Sequence, residues 1–187
     1  MPNWCWNNLT VTCTEEHVVE LQDFVEKSTN IKDEFSFEFS FEGTLPRGDR
    51  EDWYNWSLEN WGTKWDACES YIMESEPQCF AVSFESAWAP PTEWLRNIMD
   101  DYPNLEFELE YDEPGMCFAG TLIVHGAKGL FDDDYYETDS ASMCCEAKVF
   151  YEDDEEYTLK EGDSQCSECK EDCETIMIKD SEIKNND

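Results

Sequence analysis

Apolar and polar residues alternate near the start of the chain, where Leu9, Val11 and Cys13 are separated by threonines. A period of two residues is typical of a β-strand that is buried on one side. Further along, the apolar residues recur every three or four positions instead, behind acidic residues that suit a helix N-terminus. The pattern predicts a strand at 9–13 and an amphipathic helix over 15–27.

Three further stretches alternate in the same way. The clearest is FSFEFSFE at 35–42, in which phenylalanines alternate with serine and glutamate. CFAVSFES at 79–86 and LEFELEYD at 105–112 repeat the pattern, and an apolar strand follows the latter after the turn EPG. Between them, APPTEWLRNIMDDYP opens with prolines that suit a helix start and closes at Pro103, which predicts a second helix.

The order strand, helix, strand, strand, helix, strand predicts an α+β protein. It is the order of a ferredoxin-like βαββαβ sandwich, here with extra antiparallel strands, in which both helices cover one face of the sheet. The phenylalanines would lie on the covered face. The open face would carry six glutamates: Glu38, Glu42, Glu85, Glu106, Glu108 and Glu110. An RNA-binding sheet of this topology carries stacking aromatics on that face, so an acidic one disfavours direct nucleic-acid binding.

The pattern weakens in the last third of the chain. Residues 131–140 predict a polar connection, 143–152 one more strand, and the apolar residues 176–178 a short terminal strand. We therefore expect a ferredoxin-like domain over 1–140. The remainder, 141–187, would add a strand and an acidic, cysteine-rich C-terminal segment.

Charge gives this fold a functional direction. The 187 residues include 46 acidic and 12 basic ones, a net charge of −34. Residues 152–187 hold 14 acidic and 4 basic residues, so 1–151 hold 32 and 8, a net of −24. The acidity therefore belongs mostly to the predicted domain. Such a surface repels nucleic acid and anionic lipid, and it suits a protein partner that normally binds DNA or RNA. A charge-rich surface without a partner is the alternative.

The composition also bears on the cellular location of the protein and on the chemical state of its ten cysteines. No apolar run is long enough to span a membrane, and the first residues, MPNWCWNNLTVTC, do not resemble a signal peptide. We therefore expect a cytoplasmic protein with free thiols or metal-bound cysteines rather than disulfides. The spacing of Cys166, Cys169 and Cys173 allows a zinc site, with unpaired thiols as the alternative.

Four motifs occur in a fixed order: MPNWCWNNLTV, WYNWSLENWGTKWDA, AWAPP and YDEPGMCFAG. Together they resemble the YubB ferredoxin-like family of bacteriophages and conjugative plasmids. The resemblance covers roughly residues 1–125 and does not extend to the segment after about residue 140. It implies a ferredoxin-like fold and an accessory role, such as countering host defence in the bacterial cytoplasm.

The tryptophan-rich stretch 53–67 allows three interpretations. It can fill the open end of the core, act as a protein-binding patch, or form an aromatic pocket for a nucleotide or other small ligand. The pocket would be lined by Trp53, Trp56, Asn60, Trp61, Lys64 and Trp65. The chain has two histidines, and it has no nucleophile elbow, phosphate loop or HExxH motif. We therefore expect a non-enzymatic protein that inhibits a host protein through its acidic surface.

Overall fold

The computed structural model describes residues 3–31, 37–142, 149–151, 164–166 and 175–179, with side chains for 3–30 and 38–138. The chain divides into two compact units, 1–135 and 136–187. The elements of the first unit are β1 (Trp4–Thr12), α1 (Val18–Ser28), β2 (Thr29–Ile31), β3 (Phe37–Phe39), α2 (Trp53–Asn60), β4 (Cys68–Glu76), β5 (Cys79–Ala87), α3 (Thr92–Ile98), β6 (Glu106–Glu113), β7 (Phe118–His125) and the start of β8 (Leu130–Ser142).

The main sheet of the first unit has the ferredoxin-like topology that the sequence predicts. Its strands lie in the order β7-β6-β1-β5-β4, and neighbouring strands are antiparallel. The segment β1-α1-β4-β5-α3-β6 forms the βαββαβ repeat, in which β1 lies between β5 and β6. The extra strand β7 follows β6 in an antiparallel hairpin.

The second strand of this repeat is β4 and not the phenylalanine run, so the predicted strand at 35–42 is wrong in its place. Among the described residues of that run only Phe37–Phe39 form a strand, which pairs with β2 in a separate two-stranded sheet. β4 is an edge strand and most of its side chains are exposed. Its sequence therefore lacks the alternation of a half-buried strand, which is why the pattern did not reveal it.

The core lies between the helices and one face of the sheet. Val11 of β1 is opposite Phe80 of β5 and Phe107 of β6, so three apolar side chains form one row across the sheet. The ring of Phe24 in α1 lies 6.4 Å from that of Phe80 and 5.4 Å from that of Phe107. Trp94 of α3 is fully buried beside Phe24. Both helices therefore cover the same face, as predicted.

The phenylalanine segment packs over one end of this core and is held there by Asp66. Phe41 is fully buried, with its ring 4.9 Å from that of Trp94. Asp66 Oδ1 accepts hydrogen bonds from the backbone N–H groups of Phe41 (2.6 Å) and Ala67 (2.8 Å), and Oδ2 accepts one from the Ser40 hydroxyl (2.6 Å). One carboxylate thus ties residues 40–41 to the chain that enters β4.

The second unit contains the rest of β8 and three short strands. Residues 138–142 of β8 pair with β11 (Thr175–Lys179), and β9 (Val149–Tyr151) pairs with β10 (Ser164–Cys166), both antiparallel. The predicted terminal strand is therefore confirmed. The prediction of a polar connection at 131–140 is wrong, because charged and exposed residues there form a strand without an apolar alternation. The predicted domain limit at residue 140 stays a prediction. No helix within the described ranges is long and apolar enough to cross a membrane.

Candidate functional site

The open face of the main sheet, opposite the helices, carries a regular array of carboxylates. β6 contributes Glu106, Glu108 and Glu110, which alternate with the buried Phe107 and Leu109. Residues two apart on a strand are about 7 Å apart, and neighbouring strands about 4.8 Å. Glu85 of β5 lies on the same face, since its neighbours Phe84 and Ser86 are buried. The structure thus places four of the six predicted glutamates on the open face.

The other two predicted glutamates lie elsewhere, so the six-residue surface is wrong in that part. Glu38 belongs to β3 in the separate two-stranded sheet. Glu42 follows that strand, and its carboxylate accepts hydrogen bonds from the backbone N–H groups of Arg47 (3.1 Å) and Gly48 (2.7 Å). The sequence pattern places both residues on the open face because it predicts that the phenylalanine run is a strand of the main sheet.

Two residues that the sequence did not single out lie on the open face beside these glutamates. Trp6 of β1 is 55% exposed, opposite Glu85 of β5 on one side and Asp112 of β6 on the other. Asp112 Oδ1 is buried and has no hydrogen-bond partner among the described residues, and burial raises the pKa of this carboxyl. The predicted strand began at Leu9, so Trp6 was not assigned to a face. Extending the alternation back to Trp4 would have found it.

Beneath Trp6, on the covered side of β1, lies a group of buried polar side chains. The amide of Asn7 donates to the Ser86 hydroxyl (2.9 Å) and to the Cys5 carbonyl (2.8 Å). Cys5 is fully buried, and burial raises the pKa of its thiol to about 12. A thiol in that state is a poor nucleophile, because the thiolate is the reactive form. The bond from Asn7 to Ser86 joins β1 to β5 under the open face.

The tryptophan-rich stretch forms α2 and the turn after it. Trp61 is fully buried, and its indole N–H donates to the Leu45 carbonyl at 3.1 Å. The amide of Asn60 donates to the Trp56 carbonyl of its own helix at 2.9 Å. Trp53 stays 39% exposed. Trp61 and Asn60 therefore have structural partners, and Trp53 keeps an accessible ring.

Three basic residues lie against the rings of this region, forming what we call the aromatic–cation belt. The guanidinium of Arg47 lies 4.9 Å from the centre of the Trp61 ring, and that of Arg50 lies 4.6 Å from the centre of the Trp56 ring. The belt comprises Arg47, Arg50 and Lys64 with Trp4, Trp53, Tyr54, Trp56, Trp61, Trp65 and Trp88.

The predicted pocket residues fall into two groups within this belt. Lys64 Nζ lies 4.7 Å from the Trp65 ring and 4.8 Å from the Trp88 ring, whereas Trp56 contacts Arg50 and Trp61. These contacts favour the scaffold interpretation of the stretch. One observation does not fit it: within the described part of the chain, Arg47 Nε and Arg50 Nη1 are buried and have no hydrogen-bond acceptor, although Arg50 Nε lies 3.5 Å from Asp52 Oδ1.

The predicted zinc ligands lie mostly outside the described residues. Cys166 ends β10, but its side chain is not described, and Cys169 and Cys173 fall in a range that the structure does not describe. No group of His, Cys, Asp or Glu suited to a metal ion occurs in the part of the chain that is described. The zinc site stays a prediction.

Comparison with known proteins agrees with the fold. Residues 60–178 match a family model described as the ferredoxin-like domain in Api92-like protein. The crystal structure of Api92 from Yersinia pseudotuberculosis is similar with a TM-score of 0.53 at 9% identity, covering 73% of this chain and 98% of that one. A comparison with curated proteins gives no match. The family match includes the C-terminal segment, to which the resemblance seen in the sequence does not extend.

Proposed function

The chain belongs to the family of ferredoxin-like domains in Api92-like proteins, and we propose that it is a non-enzymatic accessory protein that binds a basic partner protein through the open face of its sheet. The partner class is a host protein that normally handles nucleic acid. The chain would inhibit that protein by occupying its basic binding surface. The resemblance to the YubB family adds the cellular setting of the proposal, a bacteriophage or plasmid product that counters host defence in the bacterial cytoplasm.

The carboxylate array of the open face is the observation that carries this proposal. Glu106, Glu108 and Glu110 lie on one strand, and Glu85 lies two strands away across β1. A dense array of one sign attracts a surface of the opposite sign and speeds its association. The same array repels nucleic acid, so a basic protein is the complementary partner.

The described basic side chains of the first unit lie mostly on the helices or against aromatic rings. Lys27 pairs with Asp23 on α1, and Arg96 lies on α3, 3.7 Å from the centre of the Phe131 ring. Both helices cover the opposite face of the sheet. Arg47, Arg50 and Lys64 contact the rings of the aromatic–cation belt. Lys128 pairs with Glu106 at 3.0 Å. Within the described residues no ion pair joins the other three glutamates of the array to a basic side chain.

Charge reversal of the array tests the proposal. We expect the full chain to bind at least one of a panel of purified bacterial nucleases and DNA-binding proteins, more weakly as salt rises from 50 to 500 mM. Lysine at Glu106, Glu108 and Glu110 should weaken binding about a hundredfold, since three contacts of about 1 kcal/mol each are lost.

The matched control reverses three exposed acids on the helix side, at Glu26, Asp100 and Asp101. It changes the net charge by the same amount, and binding should stay within about threefold. Binding that is insensitive to salt, or that survives reversal of the array, would refute the proposal.

A second function, binding of a small anionic ligand such as a nucleotide, is favoured by one feature of the aromatic–cation belt. Among the described residues, Arg47 Nε and Arg50 Nη1 are buried without a hydrogen-bond acceptor, near the exposed ring of Trp53, whereas Arg50 Nε lies 3.5 Å from the Asp52 carboxylate. A phosphate could satisfy these donors while a base stacks on the indole. Tryptophan fluorescence titrated with a nucleotide panel tests this function. Arg50→Ala should abolish a response that Arg96→Ala leaves intact, and no response at millimolar nucleotide would exclude the site.

A further inference from the structure

Trp6 lies on the open face with much of its ring exposed. It lies on β1, the strand between β5 and β6, and is 55% exposed. Within the described residues no ring or basic group contacts its indole, although most other tryptophans have such a contact. An exposed indole in the middle of a sheet leaves apolar surface in contact with water, and such a residue is typical of an anchor for a protein partner.

Two carboxylates flank this ring in register. Glu85 is directly opposite Trp6 on β5, and Asp112 is directly opposite it on β6. Cβ atoms of directly opposite residues are about 5 Å apart, so the three side chains form one row across the sheet. A negative group therefore lies on each side of an aromatic face.

Asp112 adds a second observation, because it has an unmet requirement for a donor. Its Oδ1 is buried and accepts no hydrogen bond from any residue that the structure describes. A buried acceptor without a partner is unfavourable, and more so when it is charged. A cationic donor that approaches over Trp6 would meet this requirement once the Asp112 carboxyl group turns toward it, and it would gain the attraction between its charge and the ring.

We infer that Trp6, Glu85 and Asp112 form a recognition site for an arginine side chain of the partner protein. The inference rests on the proposed function and names the type of side chain that the open face recognises. Arginine suits the row better than lysine because its planar guanidinium stacks on an indole and offers parallel N–H donors to a carboxylate. Lysine is a compact point charge that can satisfy the array of glutamates without stacking.

The test compares two probes of equal charge, a nona-arginine and a nona-lysine peptide, by calorimetry with the full chain in 150 mM salt. Wild type should prefer arginine by about tenfold, the size expected for one stacked and hydrogen-bonded cation. Trp6→Ala should remove most of this preference by weakening arginine binding, and should change lysine binding less than threefold. Trp6→Phe should retain part of the preference, and Asp112→Asn should reduce it.

Tyr71 supplies the matched control, because it is 59% exposed on β4, opposite Ser83 on the same face. Tyr71→Ala should leave the preference unchanged. The arginine site would be overturned if wild type binds both peptides equally, or if Trp6→Ala and Tyr71→Ala lose the same affinity. In that case, salt-dependent binding of both peptides would still support the open face as the binding surface. If reversal of Glu106, Glu108 and Glu110 leaves both peptides bound, the proposed function itself fails. Near-ultraviolet circular dichroism verifies the fold of each variant, and Trp6→Phe decides if Trp6→Ala is unfolded.

Discussion

Asp66 connects the phenylalanine segment to the edge strand β4, and its replacement by alanine should destabilise the first unit by about 3 kcal/mol. The carboxylate accepts three hydrogen bonds, two of them from backbone N–H groups. Alanine leaves those two donors without an acceptor, at about 1 to 3 kcal/mol each. Burial raises the pKa of Asp66, so the charged form carries a desolvation cost that removal relieves. That relief keeps the expected loss of about 3 kcal/mol in the lower half of the resulting range of about 2 to 6 kcal/mol.

Urea unfolding followed by tryptophan fluorescence measures this loss as a lower midpoint at an unchanged slope. Asp66→Asn keeps one acceptor oxygen and should lose about 1 to 2 kcal/mol. Asp49→Ala removes an exposed carboxylate from the preceding loop and should stay within about 0.5 kcal/mol. A loss below about 1 kcal/mol for Asp66→Ala, or one no larger than that of Asp49→Ala, would refute the role of Asp66 as the link.

Three further predictions follow from single sites. Cys117 is exposed, whereas burial raises the pKa of Cys5 to about 12. Iodoacetamide at pH 8 should therefore label Cys117 before Cys5 in peptide mass spectra, and early labelling of Cys5 would contradict its burial. Burial raises the pKa of Asp112, so the native state binds the proton of this carboxyl group more tightly than the unfolded state does. The stabilisation that results is lost as the pH rises through the raised pKa. Asp112→Asn should therefore be more stable than wild type at pH 7 by urea unfolding, and the gain should shrink toward pH 3; a gain that does not depend on pH would contradict this. Gly62 has a φ of +82°, and a Cβ there would lie 3.2 Å from a backbone nitrogen in the first turn of α3. Gly62→Ala should therefore lower the free energy of unfolding by about 2 kcal/mol. The loss should exceed that of Gly48→Ala, because Gly48 has a φ of +62° but no atom within 4 Å of the added Cβ.

The sequence predicted the fold wherever strands are buried on one face. β5 and β6 alternate cleanly because each packs one side against the helices, and Phe80 and Phe107 marked that side correctly. The same rule failed at β4 and β8. Edge positions and exposed side chains remove the apolar period there, so the sheet hydrogen bonds that define these strands leave no pattern in the sequence.

The open face was predicted in part for the same physical reason. Glu106, Glu108 and Glu110 follow from the alternation of β6, whereas Glu38 and Glu42 were misplaced with their strand. The row of Trp6 with Asp112 depends on register between residues more than a hundred positions apart. The alternation within one strand does not determine which residue of another strand lies opposite. It also does not show which buried oxygen lacks a hydrogen-bond donor.

Chemical-shift mapping tests the central claim most directly, since it locates the binding surface without altering any residue. The full chain, labelled with ¹⁵N, would be titrated with the nona-arginine peptide while the amide and indole N–H signals are followed. We predict that the largest shifts fall on the indole of Trp6 and on the amides of β1, β5 and β6, and that they disappear at 500 mM salt. Shifts confined to the helices or to the indole of Trp53 would contradict the account.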